Sequence, residues 1–431
     1  MSNRVTPPVP PRERSRRASA RRVLLDLTPL RLDRDYRWWW VGQTVSATGN
    51  QITRAAIRYQ IYIVTGSILA IGLLTLAQFL GVVVFSTIAG PLADRFDRRR
   101  LLLVAQVGMA ASTIALLLLA VTLAPEPMAI YALGFVGAGL AAADHALRLA
   151  VVPRLVPMER LRAAIALNQL NQKGAAILGP ALAGVLIAGL GVPGAYGADA
   201  LSFGVSIAAI LQIAPIPRPE RAPGEGLLGL LDGYRFILRR RIVLGAFASN
   251  VFASILAVPT ALYAPLALDV FHVGPSGFGL LSSATAFGSF AGALMSGWIS
   301  TIHRTGRAAL ASMALWGLLI TGFGLATSSY WIALVLLAFA GWADVVASVL
   351  RLTIIQFDVP DAIRGRVISV YSMSSLGATR LGDLEATIVA SFIGPQAAVV
   401  VGGFLCVGSV IWMARAIPEF RNHSRLDLST D

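Results

Sequence analysis

Runs of about twenty apolar residues, the length a helix needs to cross a hydrocarbon layer roughly 30 Å thick, recur along this chain from Trp38 to Met413. Twelve can be counted, with approximate cores at 38–63, 68–92, 101–122, 128–151, 162–190, 196–214, 243–267, 277–300, 308–327, 330–352, 367–391 and 397–415. Only 13% of the residues are charged, about half the share of a soluble domain, which excludes the soluble classes. The 41 glycines and 22 prolines are spread through the apolar runs rather than gathered in a repeat, so fibrous and disordered classes are excluded too. The chain is therefore predicted to be an all-α membrane protein with twelve transmembrane helices. The first run is the least obvious, because Gln43, Ser46, Asn50, Gln51, Arg54 and Arg58 interrupt it.

Charge supplies an independent test of that count, since Lys and Arg collect in cytoplasmic loops. Ten arginines precede the first run, and the loops after runs 2, 4, 6, 8 and 10 carry four, three, six, two and two basic residues. The loops on the other side carry only Glu126 and Asp269 as charges. This asymmetry predicts a multi-pass protein of the cell's inner, cytoplasmic membrane with both termini in the cytoplasm. It also explains the net charge of +14 without a nucleic-acid partner, because no single soluble face collects it. Residues 1–35 are expected to form a disordered basic tail, and Asp26, Asp33 and Asp35 break any signal-peptide core. Between runs 6 and 7, residues 215–241 read as a linker whose stretch GLLGLLDGYRFILRRR forms an amphipathic helix at the interface. Residues 417–431 form a second cytoplasmic tail.

The linker divides two halves, 36–214 and 242–416, and an internal repeat supports the division. Arg148-Leu-Ala-Val-Val-Pro-Arg-Leu-Val-Pro157 aligns with Arg351-Leu-Thr-Ile-Ile-Gln-Phe-Asp-Val-Pro360 at an offset of 203, and the same offset carries GAAILG at Gly174 onto GATRLG at Gly377. Two separated matches at one spacing point to two pseudo-symmetric six-helix bundles related by an axis along the membrane normal.

The loop after run 2 reads Gly90-Pro-Leu-Ala-Asp94-Arg95-Phe-Asp97-Arg98-Arg-Arg100. It resembles the signature G-x-L-A-D-R-x-G-R-R of the major facilitator superfamily, departing from it at Asp97, where that pattern has Gly. Gly90 permits close helix approach, Asp94 can accept hydrogen bonds from a helix N-terminus, and Arg95 and Arg98 can pair with acids at a gate. In run 5, Gly174-Ala-Ala-Ile-Leu-Gly179-Pro180-Ala-Leu-Ala-Gly184 is similar to a glycine-proline motif of exporters in that superfamily. Small residues allow close packing, and Pro180 removes a backbone donor. The stretches IRYQIYIVTGSILAIGLL, ADRFDRRRLLL and RLAVVPRLVPMERLRAAIALNQ resemble the enterobactin-exporter branch, a likeness running from about residue 30 to 415. Related branches include macrolide and multidrug exporters. The resemblance implies a secondary active transporter that expels a small molecule by alternating access, driven by protons, with helices 1, 4, 7 and 10 around a central cavity.

Charges inside the runs mark candidate functional groups, because each costs about 2.5–3.5 kcal/mol at the centre of a spanning helix. The basic ones are Arg54, Arg58, Arg148, Lys173, Arg351 and Arg380, and the acids are Asp144, Asp344, Asp383 and Glu385. In run 1, Gln43, Ser46, Asn50, Arg54 and Arg58 recur at helical spacing as one polar stripe. Asn50, Arg54, Arg58, Lys173 and Arg380 are therefore candidate ligands for an anionic or phenolate substrate. Arg58 snorkelling to the outer interface is the competing reading, and for Lys173 it is a structural ion pair. Arg148 and Arg351 hold equivalent repeat positions, which suits interface anchoring or gate closure. Arg380 and Asp383, three apart, can neutralise each other. Proton coupling needs a buried carboxylate whose loss of charge triggers movement, and Asp344, Asp144 and Asp383 are the candidates in that order.

The four histidines are scattered and Cys406 is the sole cysteine, so no metal site or cofactor is expected. A phosphate-binding loop needs Gly-Lys followed by Ser or Thr, yet the sole lysine follows Gln172. ATP hydrolysis is excluded. Asp144 and His145 are adjacent, a poor geometry for an acid-base pair, so an enzyme is not expected. The expected partners are a small-molecule substrate, protons and the lipid bilayer, and the protein is expected to act as a monomer.

Overall fold

The computed structural model describes residues 26–122, 125–214, 227–256 and 260–424. Of the tail 1–35 expected to be disordered, residues 1–25 lie outside them, as do 215–226 of the linker and 425–431 of the second tail. The rest of 1–35 is instead largely helical, in Thr28–Leu32 and from Arg34 onward, and the linker ends in a helix at Leu227–Arg239. Regular structure among the described residues is entirely helical. The spans are α1 Arg34–Thr65, α2 Ile68–Arg95, α3 Arg98–Ala120, α4 Pro127–Leu155, α5 158–190, α6 192–211, α7 Arg241–Val270, α8 Gly274–Leu294, α9 Thr305–Leu325, α10 Tyr330–Asp358, α11 Asp361–Ile393 and α12 Pro395–Ala416. Among the described residues nine helical segments are long and apolar enough to cross a membrane, and the continuous segment Met158–Leu211 is one of them. That segment contains α5 and α6. The polar residues of α1 and α11 keep those two long helices below the same apolar standard, and with them the passes number twelve.

The chain reverses inside Met158–Leu211 at Gly191, whose backbone has φ 70° and ψ −179°. Only glycine adopts that combination without strain. Contacts with α1 establish the reversal. Tyr36 donates to Ala164 O at 2.9 Å and Trp40 to Leu167 O at 3.3 Å, so α1 runs alongside α5. Gly42 packs against Ala209, Gly49 against Ser202, and Thr53 against Asp199, so α1 runs opposite to α6. The second bundle repeats the device 203 residues on, where Gly394 has φ 85° and ψ 157° between α11 and α12. Corresponding helices also approach closely in both bundles. A Cβ on Gly81 would collide with Phe135 O, and one on Gly288 with Ala338 O, which places α2 on α4 and α8 on α10 alike.

One face of the molecule carries both ends of the described chain and the described residues that flank the connection between bundles. Here Arg160 pairs with Asp33 at 2.9 Å, Arg241 with Glu419 at 3.3 Å, and Arg366 with Asp232 at 3.5 Å. Arg99 donates to the last carbonyls of α6, Ile210 O at 3.1 Å and Leu211 O at 2.8 Å, satisfying groups a helix end leaves open. Asp97 is the N-cap of α3, accepting from Arg99 N at 2.8 Å. The departure from the superfamily pattern thus has a local reason, since an aspartate there closes the first turn. On the outward flanks the helices are apolar and exposed, as at Val104, Leu118, Leu201 and Phe392, which suits lipid.

The bundles join on the half away from the chain ends. Arg58 pairs with Asp383 at 3.5 Å, Tyr62 donates to Asp269, Arg380 donates to Gln78 Oε1 at 3.4 Å, and Ser283 donates to Ile177 O at 2.7 Å. Tyr59 and Phe278 add a ring contact at 5.5 Å. At the α5–α8 crossing Gly184 meets Gly279, where a Cβ on Gly184 would lie 2.9 Å from Gly279 Cα. These contacts form a closed layer between the two halves.

Candidate functional site

Below that layer, toward the face bearing the chain ends, lies a partly open polar cavity of about 180 Å³. Its wall on α1 is the helical stripe Gln43, Ser46, Asn50 and Arg54, joined by Gln51. From α4 come Asp144, His145 and Arg148, and α5 adds Gln172. All lining residues belong to the first bundle. The arrangement follows from helical periodicity: positions three or four apart stack on one face, and α1 turns its polar face inward while α4 does the same one helix away.

A continuous polar chain builds the α4 side. Arg148 Nε donates to Asp144 Oδ2 at 2.6 Å, and its other terminus reaches Ser206 Oγ at 3.3 Å. Its guanidinium also lies 5.0 Å from the centre of the Trp39 ring, a favourable cation–π placement. Gln106 donates to Asp144 Oδ1 at 2.9 Å, and Ser46 reaches Gln106 Oε1 at 3.5 Å. The acid and the base are both buried, at 7% and 5% exposure, so each supplies the counter-charge that makes the other tolerable. Arg54 differs. It is exposed to the cavity and donates to the amide oxygen of Gln51 at 3.4 Å, leaving an accessible guanidinium at the cavity's inner end.

The remaining candidates from the sequence are distributed as follows. Asn50 and Arg54 line the cavity together with Asp144 and Arg148. Arg58, Arg380 and Asp383 stand in the closed layer, and Asp383 pairs across the bundles with Arg58 rather than along its own helix with Arg380. Asp383 also accepts from Thr260 at 2.5 Å and from Ala261 N at 3.2 Å. Lys173 is exposed and outside the cavity wall, one helical turn from Ile177 on the side of α5 that faces α8. Arg351 is buried and meets the part-exposed Asp344 at 3.6 Å. Gly90, Asp94 and Arg95 fall in α2 at positions whose side chains lie outside the described residues, and Arg98 opens α3 beside the Asp97 cap. In the glycine-proline motif, Gly174 has open space around it, Gly179 packs on Gln51, and Pro180 O and Gly184 meet Gly279.

One acid the sequence reading passes over is Asp199, fully buried in α6 at 0% exposure. It accepts from Thr53 at 2.6 Å, Ser202 at 3.0 Å and Thr113 at 3.3 Å. Its signal was available, since an acid inside an apolar run is itself notable and Asp199 lies within the core at 196–214.

Comparison with known proteins fits this geometry. The family described as transmembrane secretion effector matches residues 25–429. The enterobactin exporter EntS of Citrobacter koseri is 30% identical over 390 residues, covering 88% of this chain and 91% of that protein. Its counterpart in Escherichia coli O1:K1 / APEC is 31% identical over 373 residues, covering 84% and 88%. Among solved structures, the nucleoside transporter NupG superposes with a TM-score of 0.73 at 13% identity, covering 91% of this chain and 100% of that one. A bacterial homologue of the iron transporter ferroportin in the inward-facing state gives 0.67 at 15% identity, covering 91% and 100%. At such identities the structures speak for the fold alone, while the family match and the exporter relatives extend over nearly the whole chain. With its two repeated six-helix bundles and a polar cavity walled by the first of them, this chain is a membrane transporter that belongs to the transmembrane secretion effector family of the major facilitator superfamily.

Proposed function

We propose that the protein exports an amphipathic, anionic small molecule of the siderophore type by alternating access, in exchange for protons. The observation that carries this reading is the accessible Arg54 guanidinium at the inner end of a cavity whose other charges, Asp144 and Arg148, already neutralise each other. A net positive wall selects an anion or a phenolate, and the amides of Asn50, Gln51 and Gln172 supply hydrogen bonds to its polar groups. The similarity to enterobactin exporters supports a catechol-bearing cargo. The loop charges support a cytoplasmic location for the face bearing the chain ends, so a substrate enters from the cytoplasm while the Arg58–Asp383 layer seals the far side.

Comparative metabolite analysis of culture medium from deletion and complemented strains tests the cargo. The deletion strain is expected to retain iron-chelating catechol compounds that the complemented strain releases. Equal release from both strains refutes the siderophore reading. Purified protein in vesicles should move that solute faster under an imposed pH difference, and indifference to the gradient refutes proton exchange.

A further inference from the structure

We infer that Asp199 is the carboxyl group that takes up and releases the coupled proton, a deepening that rests on the proton-exchange reading above. The inference starts from what surrounds each acid in the membrane. Asp144 is held by the guanidinium of Arg148 and the amide of Gln106, and Asp383 by Arg58, a backbone N–H and Thr260. Guanidinium, amide NH₂ and backbone N–H groups only donate, so those settings suit the carboxylate. Among the described residues the hydrogen-bond partners of Asp199 are hydroxyls: Thr53 and Thr113 on Oδ2, Ser202 on Oδ1. A hydroxyl donates to a carboxylate and, by rotating, accepts from a carboxylic acid. The site can therefore satisfy both protonation states without moving a helix.

Asp199 also lacks a structural reason to be an acid. Its repeat equivalent, at the offset that aligns Gly191 with Gly394, is Gly402, and that of Ser202 is Leu405. Gly402 faces the backbone of α7 at Leu256 as Asp199 faces that of α1 at Gly49. The second bundle thus makes the same crossing with no carboxylate. No Lys or Arg nitrogen pairs with Asp199 among the described residues, and the charged group whose field reaches it is Arg54, from α1. From α3 it meets Thr113 and from its own helix Ser202, while the Asp144–Arg148 pair lies further along α6, at the level of Ser206.

The geometry also links the proton to the substrate. Gly49 lets α1 press onto Asp199, since a Cβ there would collide with the carboxylate and with Ser202. Thr53, which holds Asp199 Oδ2, is the residue before Arg54. A change of charge at Asp199 therefore alters the field at the neighbouring guanidinium of Arg54, which faces the cavity.

Two measurements on purified protein in lipid vesicles test this. Infrared difference spectroscopy during stepwise acidification follows the carbonyl stretch of protonated carboxyl groups in the parent protein and in Asp199→Asn, Asp144→Asn and Asp383→Asn. A band lost only in Asp199→Asn supports the inference, and a band that persists there overturns it. Enterobactin, used as the transported probe, is then followed with and without an imposed pH difference. Loss of the gradient's effect in Asp199→Asn, with passive exchange of the probe still measurable, supports the inference. A parent protein that responds to the gradient and an Asp199→Asn variant that responds equally overturn it while leaving proton exchange intact. A parent protein that ignores the gradient overturns the proton-exchange reading and this inference with it. If Asp199→Asn does not fold, Thr53→Val replaces it: the midpoint of the band must move, and an unmoved midpoint overturns the assignment.

Discussion

The Gly184–Gly279 crossing offers a way to push the protein out of the state described here. A methyl group at position 184 would sit 2.7 Å from Pro275 O and 2.9 Å from Gly279 Cα, against an ordinary contact range that starts at 3.4 Å. Both neighbours are backbone, so relief requires α5 and α8 to part by about half an ångström or more, and overpacking of this kind costs about 1–3 kcal/mol. The crossing lies in the layer that closes the far side, and the alternating access proposed above separates that layer in the other state. The cost therefore falls on one state only and shifts the equilibrium by about 5–150-fold. Spin labels at Gly189→Cys and Ser276→Cys, two exposed positions beyond the crossing, would report it in a background where the buried Cys406 is alanine. Gly184→Ala is expected to move weight toward longer label distances. Gly81→Ala is the control: its collision with Phe135 O lies inside one bundle, so it should lower the unfolding temperature without moving the distribution. An unchanged distribution in folded Gly184→Ala would refute the reasoning that this face is held shut by close glycine packing.

Three further outcomes follow from the polar network. Asp144→Asn strands the 5%-exposed Arg148 and should cost about 3–5 kcal/mol, read as a lowered unfolding temperature that a second change, Arg148→Met, partly restores. Arg54→Gln should weaken binding of an anionic substrate by about 1.5–3 kcal/mol, the worth of a hydrogen bond to a charged group, and leave a neutral analogue unaffected; equal weakening of both, by titration calorimetry, counts against charge recognition. Arg58→Gln removes the 3.5 Å pair across the bundles and should increase modification of a cysteine placed at Ser67 by an impermeant reagent, whereas unchanged labelling would mean that the pair does not hold the layer.

Much of the architecture can be read from the chain because lipid imposes a length and a polarity rule on every span. The repeat at 203 residues located the two bundles, and its reach proved longer than the aligned stretches, extending to Gly191 and Gly394. The α1 stripe was legible for the same reason, since helical spacing alone sets Gln43, Ser46, Asn50 and Arg54 on one face. Partners across the bundles were not. Arg380 and Asp383 stand one turn apart and suggest a local pair, yet Asp383 meets Arg58 some 325 residues away in sequence, a choice made by tertiary packing that no spacing encodes. Lys173 misses the cavity wall by a single residue, its neighbour Gln172 occupying it, because about 100° of rotation per residue separates the two faces. Asp199 sits among small and apolar residues, and its hydroxyl partners come from three helices, so its setting emerges only on assembly.

The lone glycine at 191 leaves no slack between α5 and α6. A corner of one residue behaves as a stiff elbow, so any tilt of α5 that parted Gly184 from Gly279 in the proposed cycle would swing α6 with it, and Asp199 lies only eight residues past the bend. An extra flexible segment spliced in at that corner would let each arm move by itself, leaving a protein that still folds and still rocks but whose outer seal no longer keeps time with its buried acid.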